Sequence, residues 1–297
     1  MSVHVVAPGL ESHAGSTSVR RVRVSALAGQ TVLYAALITL SLIFALPLFW
    51  LISTSLKANR QIFAFPPIWI PSPVIWQNYP DVFLYAPFAH YLFNTLLICS
   101  AHVIGPVITC SLAAYAFARL RAPGSAVIFM LMLSTLMVPG FVTLVPVYIL
   151  FAKIHWIDTF KPLIIPALLG NPFFIFLLRQ FLLTIPADLE EAARIDGATH
   201  FTIWYRIMLP LTRPALATVA IFGFQGAWND LFGPLIFLNS SSRYTLALGL
   251  QVFQQQHTTD WGLLMAASTM MVVPMLVIFF FAQRQFIQGI VLTGIKG

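Results

Sequence analysis

The stretch Asp188–Pro210, DLEEAARIDGATHFTIWYRIMLP, decides how this chain folds, because it is the one place where acidic residues gather. Four of the nine acidic residues lie in it, although it makes up less than a tenth of the length. The rest of the chain consists mostly of long apolar runs. We therefore expect this polar stretch to lie in water or against a soluble partner.

The residue pattern of this stretch predicts two short helices separated by a glycine. Asp188 and Glu191 have the three-residue spacing of a capping box, which starts a helix. Gly197 supplies the left-handed residue that closes a helix, and Thr199 can cap the next one. Pro210 is expected to end the second helix.

Four large apolar side chains of the second helix fall at helical spacing and form one stripe. They are Phe201, Trp204, Tyr205 and Met208. Two interpretations stay open for this stripe. It packs on the protein's own helix ends or lies in the lipid interface, or a partner protein receives it.

The composition identifies an integral membrane protein. Of the 297 residues, 59% are hydrophobic and 8% are charged, whereas about a quarter of a soluble domain is charged. The net charge of +7 does not indicate nucleic-acid binding, because the basic residues are spread over loop ends without a clustered face. Such a distribution is typical of residues that orient a chain in a membrane.

Intervals free of Asp, Glu, Lys and Arg mark the membrane spans, since about 20 apolar residues cross the hydrocarbon. We predict an all-α, polytopic membrane protein with six spans, the fifth interrupted at Asp230. The predicted spans lie near 29–52, 89–117, 126–150, 162–183, 214–238 and 262–282. They form one domain, 24–283, which includes the polar loop 184–213 and lies between a disordered tail, 1–23, and a C-terminal tail, 284–297.

Prolines and glycines modify this outline. Segment 53–88 holds six prolines and is predicted to be an extended flap outside the membrane. Pro139-Gly140 in the third span and Gly170 and Pro172 in the fourth predict interrupted helices. Interruptions at membrane depth are tolerated beside a cavity, so these spans either flank a transport pathway or carry ordinary kinks.

Basic residues predict the orientation. With both termini in the cytoplasm, the inner segments hold eleven Lys and Arg residues and the outer segments hold five. The excess favours a cytoplasmic position for loop 184–213.

The loop motif resembles the EAA loop of ABC importer permeases. Glu191-Ala192-Ala193, Gly197, Ile207 and Leu209-Pro210 match that motif in register. In that family the loop is the coupling helix that docks on the ATP-hydrolysing subunit, and its motif glutamate, here Glu191, pairs with an arginine there. The resemblance therefore implies ATPase contacts for Glu190, Glu191, Ala192, Ala193, Asp196, Gly197, Phe201, Trp204, Tyr205, Met208, Leu209 and Pro210.

Further motifs over roughly 25–297 resemble the carbohydrate-uptake branch of these permeases, and within it the second permease subunit of maltose-type transporters. They are Asn94-Thr95, Tyr115–Arg119, Trp228–Asp230, Tyr244–Leu246, Trp261-Gly262 and the ending Gln288–Gly297. The resemblance implies two ATPase subunits that bind ATP and Mg, a second permease in a heterodimer, an external solute-binding protein and a sugar substrate. It implies no cofactor or metal in this chain, and a C-terminal tail that inserts between the ATPase subunits.

Polar residues near the fifth span are candidates for a sugar pathway. Gln225 and Asn229 are four apart and share a helix face, with Trp228 and Asp230 adjacent. Amide groups can hydrogen-bond the hydroxyl groups of a sugar, and aromatic rings can cover the apolar faces of a pyranose. The alternative is that Gln225 and Asn229 hydrogen-bond neighbouring helices. Asn94 is a further candidate, and resemblance assigns a binding-protein contact to Gln254, Gln255 and Gln256.

The sequence offers no catalytic constellation. A phosphate-binding loop needs Gly-Lys-Ser/Thr, yet the four lysines follow Leu, Ala, Phe and Ile. We therefore expect a translocation subunit that is not an enzyme, in an ATP-driven sugar importer. The alternatives are a secondary transporter coupled to an ion gradient, and a related permease for a non-sugar solute such as glycerol phosphate.

Overall fold

The computed structural model describes the backbone of residues 15–254 and 259–294 and the side chains of 29–254 and 259–283. Its helices are α1 (Gly15–Ser55), α2 (Asn59–Ile62), α3 (Asn78–Tyr85), α4 (Phe88–Arg119), α5 (Ser125–Ser134), α6 (Gly140–Lys153), α7 (Lys161–Leu168), α8 (Pro172–Leu183), α9 (Asp188–Ile195), α10 (His200–Ile203), α11 (Leu209–Leu211), α12 (Arg213–Trp228), α13 (Phe232–Phe237), α14 (Leu246–Gly249) and α15 (Trp261–Gly294). A π turn, Trp204–Met208, joins α10 to α11, and short 3₁₀ turns follow α5, α13 and α14. The predicted all-α class is confirmed, and the described residues form no strand beyond one isolated bridge between Gln254 and Thr259.

The chain divides into two compact units, 1–53 and 54–297. The first unit holds most of α1, an apolar helix whose part Gly29–Ser55 is long enough to cross a membrane. The predicted disordered tail is wrong for residues 15–23, which are helical. No proline or glycine lies between Gly15 and Gly29, so the span can extend backward at one hydrogen bond per residue. Residues 1–14 lie outside the described part of the chain.

Four of the predicted spans are found as long apolar helices. They are Gly29–Ser55, Phe88–Arg119, Lys161–Leu183, which consists of α7 and α8, and Trp261–Gln283, which is part of α15. The break between α7 and α8 falls at Gly170, as predicted. At the far end, α15 continues past 283 to Gly294, so no break separates it from the predicted C-terminal tail, and residues 295–297 lie outside the described range.

The third predicted span, 126–150, is interrupted at Pro139-Gly140, as predicted. Ser125–Met137 and Gly140–Lys153 meet at 99°, so together they form a broken span or a re-entrant loop. Pro139 causes the break, because its ring drives Val138 out of the helical region, to φ −83° and ψ 116°.

The fifth span is bent at its start and ends early. His200–Leu211 and Arg213–Trp228 meet at 80°, so the former lies almost across the line of α12. The predicted interruption at Asp230 is found, since α12 ends at Trp228 and α13 begins at Phe232. The predicted boundary near 238 therefore belongs to a separate short helix.

The predicted extended flap, 53–88, is partly helical and includes α2 and α3. Asn78 donates to the carbonyl oxygens of Ser55 and Lys57 at 2.8 and 3.2 Å, and the hydroxyl groups of Tyr79 and Ser55 lie 2.8 Å apart. These bonds tie α3 back to Ser55, the last residue of α1, and to the turn that follows it. Many prolines excluded a long helix here, but they did not exclude short helices between them.

Helix α4 forms the centre of the second unit and packs against α7, α8 and α12. Two hydrophobic clusters lie along it. One surrounds Tyr91 and Trp228, and the other surrounds Cys110 and Tyr115. Gly223 of α12 lies against α4 so closely that an added Cβ would lie 2.3 Å from the carbonyl oxygen of His102.

We expect Gly223→Ala to destabilise the chain, because the added methyl must push α12 away from the backbone of α4. Overpacking of this kind costs about 1–3 kcal/mol. Gly226→Ala is the matched control on the same helix, since nothing lies within 4 Å of its added Cβ. Thermal unfolding of the two purified variants in detergent measures the loss of stability that each substitution causes. Equal melting temperatures for the two variants would contradict the close approach of α12 to α4.

Candidate functional site

We call Asp188–Pro210 the coupling segment. Its first helix, α9, starts differently from the prediction, because Ala187 occupies the position before the helix and makes no side-chain cap. Asp188 is already the first helical residue, so the predicted capping box is wrong. The acids of the first turn, among them Glu191, instead place negative charge at the positive end of the helix dipole.

The turn between the two helices forms as predicted. Gly197 has φ +83°, the left-handed conformation that glycine adopts without strain. The amides of Gly197 and Ala198 donate to the carbonyl oxygens of Arg194 and Ala193, which closes α9 with a Schellman motif. Thr199 then caps α10, its hydroxyl accepting from the amide of Thr202 at 3.3 Å.

The apolar stripe of the second helix is divided between two environments. Trp204 and Met208 are buried, whereas Phe201 is 65% exposed and Tyr205 is 61% exposed. The prediction of one common face is therefore wrong. Ile203 is also buried, so the stripe lies at the edge of the buried face instead of its centre. The helix also continues one residue beyond Pro210, to Leu211, before the bend into α12.

Glu190 faces the inside of the protein. The residue is 7% exposed, and its carboxylate accepts from the hydroxyl of Tyr115 at 3.1 Å and lies 3.8 Å from Nε of Arg119 and 3.7 Å from Nδ1 of His200. Tyr115 and Arg119 lie on the last turns of α4, and His200 starts α10. In this structure the carboxylate of Glu190 is therefore not open to the predicted partner contact, because the protein's own side chains surround it.

Several of the predicted contact residues have buried side chains and therefore do not belong to the exposed surface of the coupling segment. Ala193, Trp204 and Met208 are buried and Leu209 is half-buried, so none of them offers a free side chain. The predicted residues that are exposed are Glu191, Ala192, Asp196, Gly197, Phe201, Tyr205 and Pro210. Sequence reasoning missed Ile195, which is 86% exposed. The signal in the sequence was an apolar isoleucine among the charged residues of a short polar helix, α9.

Two of the predicted pathway residues are structural. Asn94 is buried and donates to the carbonyl oxygens of Ser242 and Tyr244, both at 3.0 Å. Trp228 is buried, stacks on Phe224 and donates to the carbonyl oxygen of Met271 at 3.2 Å. Neither side chain is open to a sugar, so the packing alternative applies to both.

The other pathway candidates lie together at the end of α12. Gln225 and Asn229 are exposed and share a face, as predicted, and Asn229 donates to the carbonyl oxygen of Gln225 at 3.0 Å. Asp230 accepts from the amide of Gly233 at 3.0 Å and so starts α13. Of the predicted binding-protein contacts, Gln254 is exposed, whereas Gln255 and Gln256 lie outside the described residues.

A clamp that sequence reasoning missed joins the loop after α6 to the loop after α13. The carboxylate of Asp158 accepts from the amides of Asn239 and Ser240 at 3.0 and 2.9 Å and pairs with Nη1 of Arg243 at 2.7 Å. The hydroxyl of Ser240 also donates to it. Chiefly through the bonds from Ser240, these contacts lower the pKa of Asp158 to about 2. The partners lie about 80 residues away along the chain, so no local motif indicated them.

An open groove of about 330 Å³ lies between α4, α5 and α8. It is lined by Phe117, Ser125, Ala126, Phe129, Met130, Leu133 and Arg179. The Arg179 guanidinium lies 4.4 Å from the ring centre of Phe129. None of the predicted pathway residues contributes to this groove.

Comparisons with known proteins place this arrangement in a family. Residues 105–291 match the family model described as "Binding-protein-dependent transport system inner membrane component". The chain is 35% identical to a probable ABC transporter permease protein of Pyrococcus horikoshii, over 74% of this chain and 81% of that protein. It is 33% identical to the arabinooligosaccharides transport system permease protein AraQ of Halalkalibacterium halodurans, over 87% of this chain and 93% of that protein.

A solved structure has the same fold. The chain matches a subunit in the crystal structure of a bacterial ABC transporter involved in the import of the acidic polysaccharide alginate, with a TM-score of 0.75. The match covers 93% of this chain and 99% of that subunit at 20% identity.

We expect Glu190→Ala to destabilise the chain much more than Glu191→Ala, which removes only an exposed charge at the start of α9. Removing the buried carboxylate leaves the Arg119 guanidinium without its counter-ion, which costs roughly 3 kcal/mol for a buried pair. Glu191 is exposed and serves as the matched control. Thermal unfolding of the purified variants measures the difference. A larger effect of Glu191→Ala would contradict the positions of the two carboxylates.

Asp158→Asn is expected to lower the melting temperature at neutral pH. The pKa of Asp158 lies below its ordinary value of 3.8, so the clamp stabilises the folded protein fully above about pH 4 and loses this contribution as the pH falls through about 2. In a series from pH 7 down to pH 2, the melting temperatures of the wild type and Asp158→Asn should therefore differ by a constant amount down to about pH 4 and then converge. Asp196→Asn, at an exposed acid, provides the control. A constant difference across this range would contradict the clamp.

Proposed function

The chain belongs to the family of binding-protein-dependent transport system inner membrane components, and we propose that it carries a sugar or oligosaccharide across the membrane, driven through its coupling segment. It is a multi-pass permease subunit of an ABC importer, and it is not itself catalytic. An importer of this kind works with an ATPase and a solute-binding protein. ATP and Mg bind on the ATPase partner.

The observation that supports the driving step is the exposed surface of the coupling segment. Phe201 and Tyr205 project outward, while Trp204 and Met208 anchor the same helix in the core. Single exposed apolar side chains are common on proteins, but two aromatic rings on a helix this firmly anchored form a rigid contact surface. Glu191 and Asp196 add acidic groups that an arginine of the ATPase can pair with.

The bend after Leu211 supports the same role. His200–Leu211 stands at 80° to α12, so it lies nearly parallel to the membrane surface if α12 crosses the membrane. A helix in this position meets a soluble subunit side-on. Closure of the ATPase on ATP would then displace the coupling segment and shift the attached spans between inward- and outward-facing arrangements.

The name of the arabinooligosaccharide permease, a relative that covers most of this chain, supports a sugar substrate. The secondary-transporter alternative needs a buried ionisable pair, whereas Asp230 is half-buried, accepts from the amide of Gly233 and forms no ion pair with the described residues. A non-sugar solute such as glycerol phosphate stays the alternative within the family. Gln225 and Asn229, exposed at the end of α12, are the pathway residues that we retain.

The full assembly that we propose contains this chain, a second and different permease subunit, two ATPase subunits and an external binding protein. Eleven basic residues on one side against five on the other support a cytoplasmic position for both termini and for the coupling segment. The chain lies in the cytoplasmic (inner) membrane of a prokaryote. The binding protein meets the external face of the permease, opposite the coupling segment.

We expect the double variant Phe201→Ala/Tyr205→Ala to lose the ATPase during purification of the complex and to lose ATP-driven uptake in proteoliposomes. Both rings are exposed, so the variant should still insert and fold. The measurements are co-elution of the ATPase and uptake of labelled arabinooligosaccharides, with glycerol phosphate as the competing solute. Phe280→Ala is the control, because Phe280 of α15 is equally exposed, at 64%.

Three outcomes would contradict parts of this proposal. ATPase retention and uptake by the double variant would show that docking does not use this surface. Uptake of glycerol phosphate instead of the oligosaccharide would replace the substrate class. Transport by this chain alone, without ATP or an ATPase, would favour the ion-coupled alternative.

A further inference from the structure

We propose that α4 transmits the displacement of the coupling segment across the membrane to loop 239–246. Glu190 is the positioning residue at one end of α4, and Asn94 and Thr95 are the positioning residues at the other. The inference rests on the docking of the coupling segment proposed above, and it names the route by which that docking acts on the far side.

At the first end, one buried carboxylate joins both helices of the coupling segment to α4. Tyr115 and Arg119 are four apart on α4, so they share a face, and both contact Glu190 of α9. His200, at the start of α10, lies 3.7 Å from the same carboxylate and 3.3 Å from the hydroxyl of Tyr115. Contacts among polar groups shielded from water are stronger than on a surface, so the coupling segment and the end of α4 should move together.

The same end of α4 also holds the chain that leads into the coupling segment. The guanidinium of Arg119 donates to the carbonyl oxygens of Leu182 and Ile185, at 2.8 and 2.6 Å. Arg119 is therefore bonded to the residues before α9 and paired with a residue within it. A displacement of the coupling segment cannot leave α4 in place without breaking these contacts.

At the other end, α4 holds loop 239–246 through two adjacent polar side chains. Asn94 donates to the carbonyl oxygens of Ser242 and Tyr244, and the hydroxyl of Thr95 accepts from the amide of Leu246 at 2.8 Å. Asn94 is 3% exposed and Thr95 is 1% exposed. Because Asn94 and Thr95 are shielded from water, breaking these bonds would leave their polar groups without partners, so loop 239–246 should follow α4.

The helix between the two ends is continuous. Asn94 and Tyr115 are 21 residues apart, which corresponds to about 32 Å of helix and to the roughly 30 Å hydrocarbon thickness. The helix packs tightly against its neighbours along this length, as the close approach of Gly223 shows. Closely packed helices move as units, because their interfaces do not deform continuously.

This route has a reciprocal consequence. If α4 couples the two ends, then any contact made at loop 239–246 biases the position of the coupling segment by the same free energy. A binding protein seated against that loop would thereby influence the ATPase. Sequence reasoning treated Asn94 as a pathway residue, whereas the structure gives it a part in this coupling.

The experiment follows the coupling segment and loop 239–246 separately, in the complete transporter reconstituted in lipid nanodiscs. An environment-sensitive fluorophore is attached to Ile195→Cys in one sample and to Ser241→Cys in another, both exposed sites, with the buried Cys99 and Cys110 replaced by serine. The signal is the change in emission when a nonhydrolysable ATP analogue replaces ADP. Neither a transported sugar nor its identity is needed.

We expect both labels to respond in the otherwise unchanged complex. In Glu190→Gln the label at Ile195→Cys should still respond, while the response at Ser241→Cys falls at least about fivefold, the lower end of typical coupling between sites. Thr95→Val should produce the same selective loss from the other end, since valine has the shape of threonine without the acceptor oxygen. Asp188→Asn removes one acidic charge from the same segment and should change neither response.

Two results would overturn the inference. An undiminished response at Ser241→Cys in both Glu190→Gln and Thr95→Val would show that α4 does not carry the displacement through these contacts. Loss of the ATPase from the Glu190→Gln complex would show that Glu190 acts in docking. A complex of unchanged sequence that neither retains the ATPase nor responds at Ile195→Cys would instead refute the proposed docking itself.

Discussion

Lipid offers no hydrogen-bond partners, so a membrane chain must satisfy from within every backbone group that a broken helix releases. Much of this structure follows from that constraint. Asn171 accepts from the amides of Phe173 and Phe174, and so caps α8 directly after the break at Gly170. Asp230 similarly accepts from the amide of Gly233 after α12 ends. Polar residues in apolar surroundings serve first to repair the backbone, and only those left exposed remain open to a solute.

Helix α4 is the element on which most of these repairs converge. Asn94 satisfies two carbonyl oxygens of the loop after α13, and Arg119 satisfies two carbonyl oxygens before α9. Between them, His102 contacts the carbonyl oxygen of Leu163 at 2.9 Å. The helix therefore holds both ends of the second unit together by bonds to backbone atoms, in addition to the apolar packing around it.

The coupling segment shows how one short sequence divides its work. Glu190 and Glu191 are neighbours with the same chemistry, yet α9 turns one carboxylate into the core and the other into solvent. Successive helical residues are about 100° apart, so adjacent acids on an anchored helix cannot both face a partner. The same geometry separates Phe201 and Tyr205 from Trp204 and Met208. Docking and anchoring are thus carried by interleaved residues.

The sequence by itself determined the membrane class, the all-α architecture, most of the span positions, the family and the turn at Gly197. These depend on composition and on local patterns of apolar, charged and glycine residues, which a single segment displays. It also located the breaks at Pro139, Gly170 and Asp230, since proline and polar groups act on the backbone beside them.

Only the tertiary structure decided which side of each helix faces inward. The burial of Glu190, the use of Asn94 and Trp228 as structural residues, and the clamp between Asp158 and Arg243 all depend on partners 40 to 150 residues away along the chain. Helical periodicity places side chains on a common face, but it does not state which neighbouring element that face meets. That choice arises from packing of the whole unit, because a buried polar group is stable only where another part of the chain supplies its partner.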